Sequence, residues 1–269
     1  MEKASIDWNE AWKEQRSKRS LIKRDVRFWN EKAKYFTKDP WESNYGRDFL
    51  KIMEPRRCWS VLDIACGTGT IALPLARYVR RVTAVDFSPK MLEALAGQCR
   101  IHGIENITAV NASWEDNWRS KGIEKHDVVV ASRCLIVEDL QAAITKLNAF
   151  AKERVYTSTI VGDGPHDRRV YEAVGRKLVP GPDYIYNYNL LHQMGIYANI
   201  TFITDQRQES FRDHDDALDH FSRDLKKLTI DEKIRLKQYL DEHLLCKNGK
   251  WCLDYKKSTR WAVIWWERT

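Results

Sequence analysis

The chain predicts an α/β fold, a mostly parallel sheet with helices on both faces, and two observations lead there. From residue 60 onward, short apolar runs at 60–65, 81–86, 106–110, 127–131 and 154–161 alternate with helical stretches such as 89–99 and 139–151. Strands that alternate with helices pair in parallel through crossover connections. The first run also ends in a glycine turn, Gly67-Thr68-Gly69, that opens a helix, and the second run ends on an acid, Asp86. Strand, glycine turn, helix and a second strand closed by a carboxylate make up half of a nucleotide-binding sheet.

Residues 1–55 read as a helical extension rich in aromatics (Trp8, Trp12, Phe28, Trp29, Tyr35, Phe36, Trp41, Tyr45, Phe49), with no strand pattern before Ser60. After the fifth strand, Gly162-Asp163-Gly164-Pro165-His166 marks a turn. Helices are expected near 167–178 and 183–194, and a sixth strand at 198–204. Leu218, Phe221, Leu225 and Leu228, then Leu236, Leu240 and Leu244, recur at helical spacing and predict two amphipathic helices. Asn248-Gly249 reads as a hairpin turn before Trp251. The dense apolar run 261–266 is the last strand. No repeat or low-complexity linker interrupts the chain. The expected organisation is therefore a helical N-terminal extension at 1–55 and a domain at 56–269, with a helical insertion at 205–256 before the last strand.

Of 269 residues, 43% are hydrophobic and 31% charged, enough for a real core under a soluble surface. No apolar run approaches the roughly 20 residues a membrane helix needs. The charged N-terminus lacks the apolar centre of a signal peptide. A cytoplasmic protein without a membrane partner is expected. The six cysteines are scattered with no CxxC pair, so neither a zinc knuckle nor a disulfide framework is indicated. The run Asp213-His214-Asp215-Asp216 with Asp219 and His220 reads as acids opening a helix, and no metal is expected. The net charge of +7 is spread among interleaved acids and bases. The densest basic stretch, Arg16 to Arg27, reads as a solvated helix face, so a nucleic-acid partner is permitted but not favoured.

Gly67 and Gly69 lack Cβ atoms and so let a ligand approach the backbone. Asp86 is placed to accept hydrogen bonds from ribose hydroxyls. Gly67-Thr68-Gly69-Thr70-Ile71-Ala72 also satisfies the dinucleotide pattern GxGxxA, so NAD has to be weighed. Three details favour S-adenosylmethionine. Asp63, at the strand end, can meet an ammonium group, which NAD lacks. Phe87-Ser88-Pro89-Lys90-Met91-Leu92 after Asp86 puts apolar side chains where an adenine would lie. The motif also follows a long helical segment, whereas a dinucleotide fold often opens with its first strand.

Val61-Leu62-Asp63-Ile64-Ala65-Cys66-Gly67-Thr68-Gly69 resembles motif I of the class I S-adenosylmethionine-dependent methyltransferases. Val82-Thr83-Ala84-Val85-Asp86-Phe87-Ser88 with Met91-Leu92 resembles motif II. The resemblance covers about 60–204, with the final run as a seventh strand. It implies a seven-stranded, mostly parallel sheet whose last strand is antiparallel, and S-adenosylmethionine as cofactor. The turn from Ala65 through Gly67, Thr68 and Gly69 would lie against the methionine part, with Asp86 on the ribose and Phe87 and Met91 flanking the adenine. Ala112, Ser113 and Trp114 would meet the adenine edge, and Ser132 and Arg133 would end beside the methyl group. The chain departs from the family pattern in three places. Ala65 replaces the first glycine, Asn111 replaces the acid often found after strand three, and Phe150-Ala151-Lys152-Glu153-Arg154 replaces the Gly-Gly turn before strand five.

Methyl transfer from a sulfonium is an in-line displacement with an activated leaving group, so alignment and desolvation dominate. A base is needed only if the nucleophile must lose a proton. Arg133 could bind a substrate carboxylate or phosphate, or simply form a surface ion pair. His166 is the candidate base, or alternatively a loop histidine capping the helix at Asp167. Tyr184, Tyr186, Tyr188 and His192 line either a pocket or core. Strand four ends Ala131-Ser132-Arg133-Cys134 rather than Asn-Pro-Pro-Tyr, which argues against methylation of exocyclic base amines or glutamine amides. With the insertion and the aromatic N-terminal helices as a lid, the expected acceptor is a small molecule. An RNA or protein methyltransferase, an NAD-dependent oxidoreductase and a non-catalytic S-adenosylmethionine-binding regulator are the alternatives.

Overall fold

The computed structural model describes residues 6–18, 25–34, 41, 43–225 and 227–268. Tyr35, Phe36 and the middle of the basic stretch, 19–24, lie outside the described residues. In chain order the elements are α1 (Trp8–Ser17), α2 (Val26–Ala33), α3 (Asn44–Met53), β1 (Ser60–Ile64), α4 (Ala72–Ala76), β2 (Arg81–Asp86), α5 (Pro89–His102), β3 (Ile107–Asn111), β4 (His126–Ser132), α6 (Leu140–Phe150), β5 (Ala151–Ile160), α7 (Arg168–Ala173), α8 (Tyr184–Gln193), β6 (Asn199–Arg207), β7 (Ser210–Phe211), α9 (His214–Leu225), α10 (Ile230–His243), β8 (Leu244–Lys247), β9 (Lys250–Leu253) and β10 (Lys257–Glu267).

Helix starts are written locally in the sequence. Asp7, Asp25, Ser43, Ser88, Asp139, Asp167 and Asp183 each accept a hydrogen bond from a first-turn N–H with their side chains, which satisfies donors a helix leaves open. Pro89 follows the Ser88 cap, where its missing N–H costs nothing.

Seven strands form one sheet in the order β3-β2-β1-β4-β5-β10-β6. The pairs β1–β2, β2–β3, β1–β4 and β4–β5 are parallel, and β10 runs antiparallel to β5. β1 is buried along its whole length, which is why it reads as a continuous apolar run and not an alternating one. The strand order reverses between β1 and β4. That makes the carboxyl end of this pair a topological switch point, where open α/β sheets bind ligands.

The chain divides into two compact units. The first takes in the chain up to Ile160, Pro182–Ile203 and the chain from Trp261 onward, and holds the sheet. Its core joins Tyr45, Phe49 and Met53 of α3 to Val61, Leu73, Val128 and Val263.

The second unit combines Val161–Gly181 with Thr204–Arg260. Val170, Phe211, Phe221, Leu236, Leu240 and Leu253 form its own core. A bidentate pair, Arg176 to Glu232 at 2.7 and 2.8 Å, braces it, and the hydrogen bonds from that guanidinium hold the Glu232 carboxyl down at about 2. The two expected amphipathic helices are α9 and α10. The hairpin at Asn248-Gly249 forms with φ of 52° and 74°, the pair of positive values a type I′ turn demands. The sequence reads this region as helical, yet it also holds a three-stranded sheet, β7-β9-β8. Strands of two to four residues are too short to carry a period-two signal. The helix expected at 167–178 is the shorter α7, and Gly175 follows it at φ 80°. No helix among the described residues is long and apolar enough to cross a membrane.

Candidate functional site at the sheet's carboxyl edge

The glycine turn leaves β1 through three left-handed residues: Ala65 at φ 51°, Gly67 at 56° and Gly69 at 93°. Ala65 pays the usual cost of a Cβ in this region, about 1–2 kcal/mol. Gly67 faces open space, with nothing within 4 Å of where a Cβ would sit. Gly69 is packed, and a Cβ there would fall 2.6 Å from Leu95 and 2.7 Å from Leu73. The two glycines therefore serve different ends, one an approach and the other a close packing. The turn opens into α4, a helix of only five residues.

Asp86 closes the turn from the side. Its Oδ2 accepts from Gly67 N–H and its Oδ1 from Ser88 N–H, both at 2.9 Å. Burial raises this carboxyl above its ordinary value, and the N–H bonds from Ser88 and Gly67 pull the other way. Each oxygen keeps a second lone pair for a further donor. Ser88 Oγ caps α5 at Met91 N–H and donates to Asn30 of α2 at 2.7 Å, which ties the N-terminal extension to the β2 end.

Asp63 is buried at 2% exposure, and its Oδ2 has no hydrogen-bond partner among the described residues. Burial first, then the nearby Asp86 charge, push its carboxyl up to about 8, against the Ala72 N–H and the Arg133 charge. Burial and the Asp63 and Asp86 charges also push the Cys66 thiol well above its ordinary range, so it is not a thiolate nucleophile at neutral pH.

Phe87 is half-buried, while Thr68, Met91 and Ala112 are buried. Asn111 turns back onto the sheet, donating to Asp86 O at 3.0 Å. Ser113 spends both backbone groups inside its own turn, its N–H on Asp116 at 2.8 Å and its C=O on the Trp118 indole at 2.7 Å. Trp114 packs against Trp118 with ring centroids 5.6 Å apart.

At the ends of β4 and β5 a second cluster forms. The buried Tyr45 hydroxyl lies 2.7 Å from Ser132 Oγ and 2.6 Å from Ser158 Oγ. Arg133 takes the left-handed conformation at φ 57°, and its N–H donates to Ser158 O at 3.1 Å and Ser158 Oγ at 3.0 Å. Its guanidinium lies 4.1 Å from the Tyr45 ring centroid and 5.6 Å from that of Trp261. Cys134 reaches across to Ile64 O at 3.4 Å, joining this loop to the end of β1.

Sequence reasoning singles out Ser132 and Arg133 but not Tyr45, Ser158 or Trp261. Tyr45 shares a helical face with Phe49 and Met53 and so reads as core. Its hydroxyl partners lie 87 and 113 residues away, which no local pattern reveals. Asn187 of α8 is also missed. It is 1% exposed, with neither amide atom hydrogen-bonded among the described residues. The neighbouring tyrosine stripe is in aromatic packing: Tyr184 stands edge-on to Phe202, Tyr186 to Trp8, and His192 to Tyr197.

His166 belongs to the second unit. Its Nδ1 lies 3.6 Å from Asp224 Oδ2 and 3.5 Å from the Tyr171 hydroxyl. The helix there is capped by Asp167, which accepts from Arg169 N–H at 3.2 Å. In the same unit Asp213 accepts from Asp216 N–H at 2.7 Å, and His214 pairs with Asp241 at 2.9 Å.

A crossover sheet in this strand order, with a glycine turn and two acids at its switch point, defines a Rossmann-like nucleotide-cofactor enzyme. The family described as "Methyltransferase domain" matches residues 61–154. An uncharacterized protein of Haemophilus influenzae is 38% identical over 225 residues, 83% of this chain and 82% of that one. The ubiquinone/menaquinone biosynthesis C-methyltransferase of Zymomonas mobilis is 41% identical over 61 residues, 23% of this chain and 25% of that one. Among solved structures, a cyclopropane-fatty-acyl-phospholipid synthase-like protein of Lactobacillus casei shares the fold at a TM-score of 0.54, with 14% identity over 91% of this chain and 94% of that one. Residues 61–154 are a methyltransferase domain, within the seven-stranded α/β methyltransferase fold. Two features of the site fit S-adenosylmethionine, the donor that the sequence resemblance implies: the buried Oδ2 of Asp63, without a hydrogen-bond partner among the described residues, suits an ammonium, and the open space over Gly67 is one a Cβ would invade.

Proposed function

We propose that this methyltransferase acts on a small molecule. In this reading Asp63 receives the ammonium of S-adenosylmethionine, the Ala65–Gly69 turn lies along its methionine part, Asp86 holds the ribose, and Phe87, Met91 and the 112–114 turn border the adenine. The cofactor supplies a methyl group already activated on a sulfonium. The chain's own task is then to align an acceptor atom and keep water away. Ser132, Ser158 and Tyr45 hold one another in a single geometry, so the wall of the acceptor site is preorganised. An acceptor that is already a free electron pair, such as a neutral amine, a thioether or an enolate, needs no base there.

The observation that carries the small-molecule reading is the bolting of Tyr45 to the ends of β4 and β5. It fixes an N-terminal helix, beside the partly exposed Trp261, at the edge where the methyl would be delivered. The N-terminal extension reaches this edge a second time, through the Trp12 indole on Val137 O at 3.0 Å. An edge lined by the chain's own aromatics suits a compact acceptor better than a folded RNA or protein.

The test is to incubate the protein with methyl-labelled S-adenosylmethionine and cell extract separated into small-molecule filtrate, RNA and protein. Label is expected in the filtrate. Label confined to RNA or to protein would overturn the reading.

A further inference from the structure

The geometry points to an anion-binding subsite at Arg133, and we propose that the methyl acceptor carries an oxyanion, a carboxylate or phosphate, that this guanidinium grips. The proposal rests on the small-molecule reading above and names the acceptor's class.

Four observations converge on it. Arg133 is half-buried, and among the described residues its guanidinium has neither an acid partner nor a hydrogen-bond acceptor. Its backbone is held in the left-handed region at φ 57° by two bonds from its N–H to Ser158, a conformation that disfavours a residue with a Cβ. The side chain rests on the face of Tyr45, which is itself immobilised by the hydroxyls of Ser132 and Ser158. The cation is therefore held in place before any ligand arrives, 4.1 Å from the Tyr45 ring centroid, and its forked N–H donors suit a planar anion. Among the described residues no carboxylate is paired with it, which does not fit an exposed ion-pair role.

The position within the sheet separates two sources of such an anion. S-adenosylmethionine has a carboxylate of its own. Arg133 follows Ser132, and its charge is felt at Asp63 on the donor side, but the groups it touches lie on β4, β5, α3 and the start of the β10 segment in this unit, at Trp261. That is the acceptor side, and the acceptor is the source the proposal commits to. The partly exposed Trp261 ring beside the guanidinium favours an apolar or aromatic body attached to the anion.

The experiment uses the full chain saturated with S-adenosylhomocysteine and titrated with benzoate, phenyl phosphate and the neutral match benzamide, read by calorimetry and ligand-observed NMR. Either anion is expected to bind more tightly than benzamide by about tenfold or more. Arg133→Met should remove that preference, and Arg133→Lys should restore part of it because the charge returns without the fork. Loss of the Arg133 charge is felt at Asp63, so Arg133→Met should weaken S-adenosylhomocysteine and decarboxylated S-adenosylmethionine alike, and Arg133→Lys, which keeps the charge, should leave both within about threefold. Equal binding of anions and benzamide, or no binding of any, would overturn the proposal. So would a drop in S-adenosylhomocysteine affinity in Arg133→Met with no change for decarboxylated S-adenosylmethionine, since the anion would then be the cofactor's own. If Arg133→Met fails to fold, Arg133→Lys and the wild-type preference still decide. An absent anion preference alongside label in the small-molecule filtrate would sink this proposal alone, while label only in RNA or protein would sink the reading beneath it.

Discussion

Asp86, on the β2 side of the sheet's carboxyl edge, draws its hydrogen bonds from Gly67 and Ser88, 19 and 2 residues away. Tyr45, on the β4–β5 side, draws its own from Ser132 and Ser158, 87 and 113 residues away. The first cluster is made by one strand–turn–helix–strand unit folding on itself. The second exists only after an N-terminal helix has docked on strands made much later in the chain. In the function proposed above, the part that would meet a constant donor is local, and the part that would meet a variable acceptor is assembled from distant pieces. The polar economy differs too. Among the described residues, the local half leaves a buried carboxyl oxygen without a partner at Asp63, and the assembled half leaves a cation without an acid partner at Arg133.

The sharpest way to break the local half is Gly69→Ala. A Cβ at φ +93° and 2.6 Å from Leu95 is both strained and overpacked, and a loss of about 2–4 kcal/mol is expected in denaturant unfolding. Gly67→Ala, at φ +56° with nothing within 4 Å, should cost only about 1–2 kcal/mol, yet weaken S-adenosylmethionine binding in calorimetry. If the two variants lost equal stability, the division of labour between these glycines would fail.

Asp63→Asn should weaken S-adenosylmethionine by roughly ten- to hundredfold, the worth of about 1.5–3 kcal/mol for a hydrogen bond to a charged group. The same variant carries a pH signature. The Asp63 carboxyl is raised from 3.8 to about 8 in the folded chain. Between those values the folded state binds a proton that the unfolded state has lost, so this group's contribution to stability falls as pH rises toward 8 and is level above. The stability of Asp63→Asn relative to wild type should therefore climb across that window and plateau beyond it, as followed by thermal melts of the ligand-free protein. Binding of an ammonium favours the ionised carboxylate, so wild type should release a proton on taking up S-adenosylmethionine below pH 8, seen as a buffer-dependent heat, and Asp63→Asn should not.

In the assembled half, Tyr45→Phe keeps the ring under Arg133 but strips Ser132 and Ser158 of their shared partner. A loss of about 1–2 kcal/mol is expected in denaturant unfolding. An unchanged stability would mean that the two serines satisfy each other at their 3.3 Å separation. The smallest effect belongs to Asn187→Leu. Replacing a buried amide that has no partner by an apolar side chain of similar size should leave stability level or raise it by up to about 1 kcal/mol. A marked loss would show that the amide is satisfied by ordered water.

The strand–helix alternation from residue 60 is legible in the sequence because each buried strand is its own apolar run and most helices open on a side-chain cap, α4 being an exception. Asp63, Gly67, Gly69 and Asp86 are legible for the same reason: one crossover unit places all four, so spacing along the chain is spacing in space. The hairpin at Asn248-Gly249 is legible because only such a pair accepts two successive positive φ values. The three-stranded sheet of the second unit is not, since its strands are too short for a pattern. Nor are the partners of Tyr45, the stacking of Arg133 or the buried amide of Asn187. An aromatic on the apolar face of a helix carries the same sequence signal whether its hydroxyl is idle or shared. The sequence by itself carried the donor reading, because the glycine turn and its two acids lie in one local unit. Only the tertiary structure decided what surrounds Arg133, because contacts across a hundred residues are set by docking and leave no periodicity behind.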